Sequence, residues 1–235
     1  MRELKINVGT RLMAAQITSL ITRGLRYKRA SELTGIPIST LVRYVRGKTL
    51  PSPRVVVKIR KIYEQLGRQV LASHYIEKLL QLGEDYAQDI ELLKFVAWDL
   101  AEYLLGRRCT AILSLDPYIT PATSIVAYFY QLKHAIAAEK PNGGRYVLVT
   151  YGDPPTTLFI PYQQLRGEIV TMACTRFRQD LLEEAIAKLA EKNIETAQIY
   201  AVFGPSKLIK HPSGYFVLSR HLVNTEVEGN GGHRN

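Results

Sequence analysis

The residue types able to do chemistry fall into two groups in this chain of 235 residues. The first lies on a segment of helical spacing, with Ile38, Ser39, Thr40, Val42, Arg43 and Arg46 flanked by Lys28, Arg29 and Lys48. On a helix entering a major groove, Arg43 can donate two parallel hydrogen bonds to a guanine edge. Ser39 can bond several base edges, and Ile38 or Val42 can meet a thymine methyl group. Arg46, Lys48, Lys28 and Arg29 suit phosphates, which position a protein on a duplex without reading its sequence. Taken singly, each basic residue is equally well a solvated helix face. The second group is Asp116, Thr175, Arg176, Arg178 and Gln179. Arg176 and Arg178 beside a helix start can hold a phosphate or carboxylate of a nucleotide or sugar ligand, with Thr175 and Gln179 as hydrogen-bond partners. The alternative is that both arginines pair with Asp180 or Glu183, or sit on the surface. Asp116 either lines a pocket or caps the helix near Pro121. His134 and His211 have no ligand spacing with other His, Cys or acids, and no Ser/His/Asp set stands out. No metal, cofactor or catalytic residue is expected.

Charge separates the two groups. Fifteen of the 31 Lys and Arg, but three of the 21 Asp and Glu, precede residue 69, so this part is +12 and the remainder, with 16 basic and 18 acidic residues, is −2. A polyanion-binding module joined to an ordinary domain has this distribution. Cys109 and Cys174 form neither a disulfide framework nor a metal spacing. The first residues lack an apolar signal region, and no run approaches the ~18 apolar residues of a membrane span. The expected location is cytoplasmic, on the nucleoid.

The elements that must position the first group are short helices. Met13, Ile17, Leu20 and Ile21 give a supporting helix from Val8 to Arg23, with Gly24 as its stop. A helix-turn-helix needs a small residue where its helices cross, a residue tolerant of positive φ four positions later, and apolar anchors on the second helix. Ser31, Gly35 and the set Ile36, Leu41 and Tyr44 meet those needs. Pro37 suits the first turn of the second helix. Ser52 and Pro53 then start another helix, with Val56, Ile59, Tyr63 and Leu66 inward and Gly67 as its end. The stretch Leu41 to Pro53, with its Gly47-Lys48-Thr49-Leu50-Pro51 turn, resembles the recognition-helix region of the lambda-repressor/Cro-like family over roughly residues 8 to 66. That resemblance implies double-stranded DNA as partner.

The expected domains are a helix-turn-helix over 1–67, a helical linker over 68–87, an α/β domain over 88–223 and a disordered tail over 224–235. Leu71, Tyr75, Leu79 and Leu82 mark one helix broken at Gly83. Ile90, Leu93, Val96, Ala97, Leu100 and Leu104 mark another ending at Gly106. Short apolar runs then alternate with helices: Thr110 to Asp116, a helix from Pro121, His134 to Ala138, a hairpin-like pair at Arg145–Thr150 and Thr157–Pro161, Glu168 to Cys174, a helix from Gln179 to Lys192, and Ala197 to Phe203. Such alternation predicts an α/β domain with a largely parallel sheet.

The order of these elements resembles the type I phosphoribosyltransferase fold over roughly residues 88 to 223, as found behind a helix-turn-helix in archaeal regulators. The resemblance places a diphosphate loop at Asp116–Thr123, a closing hairpin at Arg145–Pro161, and the strand with its two acids and phosphate loop at Ile169–Asp180. Ala173 and Cys174 stand where that family has two acids, and Thr175-Arg176-Phe177-Arg178-Gln179-Asp180 has no glycine for close backbone approach. The expectation is a homodimeric transcription regulator with a catalytically inactive phosphoribosyltransferase-like domain sensing a nucleotide or related phosphorylated ligand. The alternatives are an active transferase that regulates its own operon and an architectural, chromatin-associated DNA-binding protein.

Overall fold

A computed structural model describes residues 8–63, 72–141, 143–205, 208–214 and 216–223. The expected tail at 224–235, the helix end at Leu66 and Gly67, and Leu71 lie outside the described residues. The chain forms two compact units, Met1–Trp98 and Asp99–Asn235.

In the first unit, α1 (Val8–Thr34) is two helices merged across a break at Arg26, whose φ is 61°. The sequence puts the stop at Gly24, but Gly24 stays helical. Burial places the break: Ile21 and Thr22 before it and Ala30 after it are buried, while Arg23, Gly24, Arg26, Lys28 and Arg29 are exposed. The first half of α1 is buried almost all round, and its interior polar groups are satisfied within the helix. Thr18 Oγ1 donates to Ala14 O at 2.9 Å and Thr22 Oγ1 to Thr18 O at 2.9 Å. Then come α2 (Ile38–Val45) and α3 (Pro53–Ile62), the latter with Ser52 at its N-cap and Pro53 in its first turn.

Helices α4 (Ala72–Leu82) and α5 (Ile90–Leu104) are joined by a 3₁₀ turn, Gly83–Gln88. Asp89 caps α5, its Oδ1 accepting from Glu91 N at 2.9 Å and Leu92 N at 3.2 Å. An ion pair with Lys78 holds the Asp89 carboxyl below its usual range. Tyr75, in the expected helical linker, and the first part of α5 pack within the first unit. Tyr75 stacks on Phe95 at 4.9 Å between centroids, Tyr63 meets Trp98 edge-on at 5.5 Å, and Arg23 pairs with Glu91 at 2.9 Å. The aromatic side chains on α4 and α5 give these helices an apolar surface that a linker would leave in water. Leu82 and Ile90, expected in the apolar stripes, are exposed at the helix ends.

The second unit is an α/β domain. Its parallel strands are β1 (Ala111–Ser114), β2 (Lys133–Ile136), β5 (Ile169–Arg176), β6 (Glu195–Phe203) and β8 (Phe216–Val223), and β7 (Leu208–Lys210) joins antiparallel. The sheet order is β2-β1-β5-β6-β8-β7. All four positions of β1 and six of the eight in β5 are buried, the pattern of strands covered on both faces. Helix α6 (Thr120–Tyr130) connects β1 to β2 and α8 (Gln179–Ala190) connects β5 to β6. The two crossovers run in opposite directions, so their right-handedness puts the helices on opposite faces. Between β2 and β5 the chain makes an antiparallel hairpin, β3 (Val147–Tyr151) and β4 (Thr156–Ile160), and a short helix α7 (Tyr162–Leu165). Strands β7 and β8, absent from the sequence reading, complete the far edge.

Candidate nucleic-acid interface and ligand crevice

The turn before α2 is built as its residue types require. Gly35 has φ +57°, its N–H donates to Ser31 O at 2.7 Å, and Ser31 Oγ donates to Ile36 O at 2.7 Å. Thr34 Oγ1 accepts from Ile36 N at 3.2 Å, closing the corner. With Ile36 (5% exposed), Leu41 (1%) and Tyr44 (8%) anchored inside, the opposite face of α2 projects outward. Ile38, Ser39, Arg43, Arg46 and Lys48 are exposed, Thr40 and Val42 half-buried, and Lys28 and Arg29 exposed on the preceding helix. Arg29 pairs with Glu32 at 3.2 Å, a bond on the surface that a phosphate can replace. Arg11 was missed by sequence reasoning. Its Nε donates to Pro51 O at 2.7 Å and a guanidinium nitrogen to Leu50 O at 3.5 Å, tying α1 to the turn that follows α2. No spacing rule marks a residue forty positions from its partner.

In an open α/β sheet, ligands bind outside the carboxyl ends of the strands where the strand order reverses. Here that point lies between β1 and β5. Asp116, just past β1, spans it. Its Oδ1 accepts from the amides of Tyr118 and Ile119, both at 3.0 Å, and from Thr175 Oγ1 at 2.7 Å, while Oδ2 accepts from Thr175 N at 2.6 Å. Asp116 thus caps the turn ahead of α6 and staples the ends of β1 and β5. It does not cap the helix near Pro121, since α6 has Ile119 at its N-cap with no side-chain cap bond, but it does line a cleft of about 480 Å³ on the β2 side of the staple. The other walls are Leu115, Ile136, Glu139 and, from the hairpin, Tyr151 and Leu158.

The remaining expected ligand residues do not converge. Thr175 is buried with its amide and hydroxyl both donated to Asp116. The guanidinium of Arg176 lies over the Phe203 ring at 5.6 Å, that of Arg178 over Tyr151 at 5.4 Å, and Gln179 Nε2 donates to Glu183 at 2.8 Å. The loop expected over 175–180 is shorter than that: β5 continues through Arg176 and α8 begins at Gln179, leaving Phe177 and Arg178 between them. Phe177 N donates to Phe203 O at 2.8 Å, and Gly204, with φ +146°, lies so close that a Cβ there would be 2.3 Å from Phe177 Cβ. Ala173 and Cys174 are buried in β5, and burial pushes the Cys174 thiol up. Asp180 Oδ2 accepts from Gly152 N at 2.9 Å, fixing the hairpin tip to the start of α8.

His134 belongs to a polar cluster between β1, β2 and α6. Its Nε2 lies 2.8 Å from Ser114 Oγ and 3.1 Å from Thr123 Oγ1, and those hydroxyls are 2.6 Å apart. Burial lowers the His134 pKa. No carboxylate is among these partners, so the cluster lacks the third member of a hydrolytic triad. His211 is buried and its Nδ1 accepts from Ser213 N at 3.1 Å.

Residues 20–65 match the helix-turn-helix family model. The chain therefore carries a DNA-binding helix-turn-helix, followed by an α/β domain. No curated protein sequence matches the chain. Among solved structures it is similar to adenine phosphoribosyltransferase from Thermoanaerobacter pseudethanolicus, at 12% identity and TM-score 0.48 over 59% of this chain and 84% of that one. It is also similar to the enzyme of Leishmania tarentolae, at 14% identity and TM-score 0.49 over 59% and 73%, and of Trypanosoma brucei, at 11% identity and 0.49 over 63% and 72%. The likeness is one of fold. No helix of the described residues is long and apolar enough to cross a membrane.

Proposed function

We propose that the protein is a homodimeric, sequence-specific transcription regulator of the archaeal type, acting on DNA in the cytoplasm. Its α/β domain is a phosphoribosyltransferase-like module that binds a nucleotide-related effector without transferring a phosphoribosyl group. The single observation that carries the reading is α2, which buries Leu41 and Tyr44 and exposes Ile38, Ser39, Arg43 and Arg46 within the stretch matching the helix-turn-helix family. In a twofold dimer two such helices enter successive major grooves about 34 Å apart on a pseudo-palindromic site. Support for inactivity comes from the link between β5 and α8. A diphosphate cradle needs several converging backbone amides, and those of Thr175 and Phe177 already donate to Asp116 and Phe203.

The test is DNA-binding anisotropy with a site selected from genomic fragments. Arg43→Ala is expected to cost about 1–3 kcal/mol and to relax preference at one base pair. Lys28→Ala and Lys48→Ala weaken binding uniformly and each lower the salt slope by about 1. Unchanged affinity and preference in Arg43→Ala refute the assignment of the reading helix. Turnover of phosphoribosyl diphosphate with any base refutes inactivity.

A further inference from the structure

We propose that the cleft between the Asp116 turn and the hairpin binds an uncharged or cationic ring compound that donates hydrogen bonds, such as an amino-bearing heterocycle or its nucleoside, and rejects phosphorylated compounds. The inference rests on the reading of the α/β domain as an effector domain and narrows the chemistry of its ligand. The volume, about 480 Å³, is that of a small-molecule site. Leu115, Ile136 and Leu158 supply apolar walls, and Tyr151 an aromatic one.

The charged groups lining it are Asp116 and Glu139, with no lysine or arginine among the described lining residues. Asp116 already accepts four hydrogen bonds from the protein, so the acceptor left to a ligand is the Glu139 carboxylate, whose complement is an N–H or O–H donor or a positive charge. A phosphate there faces two like charges in surroundings that screen them less than water does. Of the lining amides, those of Ala137 and Ala138 already donate to Ser114 O and Phe159 O. The guanidinium of Arg178 stacks on Tyr151, 5.4 Å from the ring centroid. In that place it backs an aromatic wall instead of forming a phosphate fork. The sign of charge that suits a diphosphate is thus reversed.

Calorimetric titration of the full chain tests this with the common nucleobases, their nucleosides, the 5′-monophosphates and phosphoribosyl diphosphate. At least one base or nucleoside is expected to bind ~10-fold or more tightly than its monophosphate, from the like-charge repulsion. Glu139 is exposed, so Glu139→Lys is expected to fold normally and to reverse that order. The proposal is overturned if a phosphorylated compound binds the wild type more tightly, if no base or nucleoside binds, or if Glu139→Lys leaves the order unchanged. DNA binding by the same preparations is a separate readout. Its loss in the wild type refutes the regulator reading, whereas its retention leaves the titration to decide the cleft alone.

Discussion

Replacing Asp116 by Ala removes one carboxylate and four hydrogen bonds, and the cost divides by where each donor is left. Thr175 is 2% exposed, and its amide and hydroxyl, at 2.6 and 2.7 Å from Asp116, lose their acceptor inside the protein. A buried donor stranded in this way costs about 1–3 kcal/mol, toward the upper end when the lost acceptor was charged. The amide of Tyr118, 3.0 Å from Oδ1 in an exposed residue, costs about 0.5 kcal/mol, and that of the buried Ile119, also at 3.0 Å, about 1 kcal/mol. The expected loss is about 4–5 kcal/mol, or roughly 15 °C in Tm for a unit of this size. Differential scanning calorimetry of the full chain measures it. Asp116→Asn separates charge from acceptor geometry. Its one oxygen can serve Tyr118, Ile119 and the Thr175 hydroxyl, but its NH₂ must face the Thr175 amide donor, so about half the loss remains. A fall in Tm below about 4 °C for Asp116→Ala refutes the idea that this residue joins the two strand ends.

Two glycines are expected to respond differently to alanine. Gly204→Ala sets a Cβ 2.3 Å from Phe177 Cβ beside a hydrogen-bonded backbone and costs about 3 kcal/mol, whereas Gly35→Ala meets the flexible end of Lys58 at 3.1 Å and costs about 1 kcal/mol of left-handed strain. Urea midpoints rank the two, and equal losses refute the steric argument. Burial depresses the His134 pKa below its ordinary 6.5, so the fold favours the neutral ring. The stability this contributes is complete above the unfolded value and is lost as pH falls from there through the folded pKa. His134→Gln is expected to flatten the acid limb of a stability–pH curve, with the similarly lowered His211 leaving a residual slope. An unchanged limb removes His134 as its cause. Arg11→Met breaks the bonds to Pro51 and Leu50. It is expected to cost about 1 kcal/mol of stability and to weaken DNA binding without altering sequence preference, as selection from a randomised site would reveal.

The helix-turn-helix was legible because its constraints are local. Ser31, Gly35, Ile36 and Leu41 act within ten residues of one another, so residue type and spacing carry nearly all the information. The break in α1 was not, since Gly24 carries the stop signal and the interior chooses Arg26. The apolar spacing in α4 and α5 announced helices, but not that Tyr75 and Trp98 would find partners in the first unit. In the α/β domain the parallel strands up to Phe203 followed from alternation with helices. Strands β7 and β8 did not, because β8 is placed by its parallel pairing with β6 and the edge strand β7 by its antiparallel pairing with β8. The ligand residues were least legible. Thr175 and Asp116 were both singled out, yet nothing in their 59-residue separation says that they bond to each other.

That bond also explains where the cleft lies. A doubly wound sheet opens a crevice at the reversal of strand order because the loops after the two central strands diverge to opposite faces. Here the loops after β1 and β5 are pulled together by Asp116, β5 runs on to Arg176, and Phe177 wedges against Gly204. The free volume is left on the β2 side, where the second wall comes from the hairpin. That hairpin is tied to its surroundings by the Gly152 bond to Asp180, the Tyr151 stack under Arg178 and the bridge between Ala138 and Phe159. An occupant of the cleft touches Tyr151 and Ala138, one member of two of those three ties. A ligand shifts a conformational equilibrium by as much as its contacts differ between the two states. The element whose contacts a ligand can alter most is therefore the hairpin, since the Asp116 carboxylate is already engaged by Thr175 of β5 and by the turn ahead of α6.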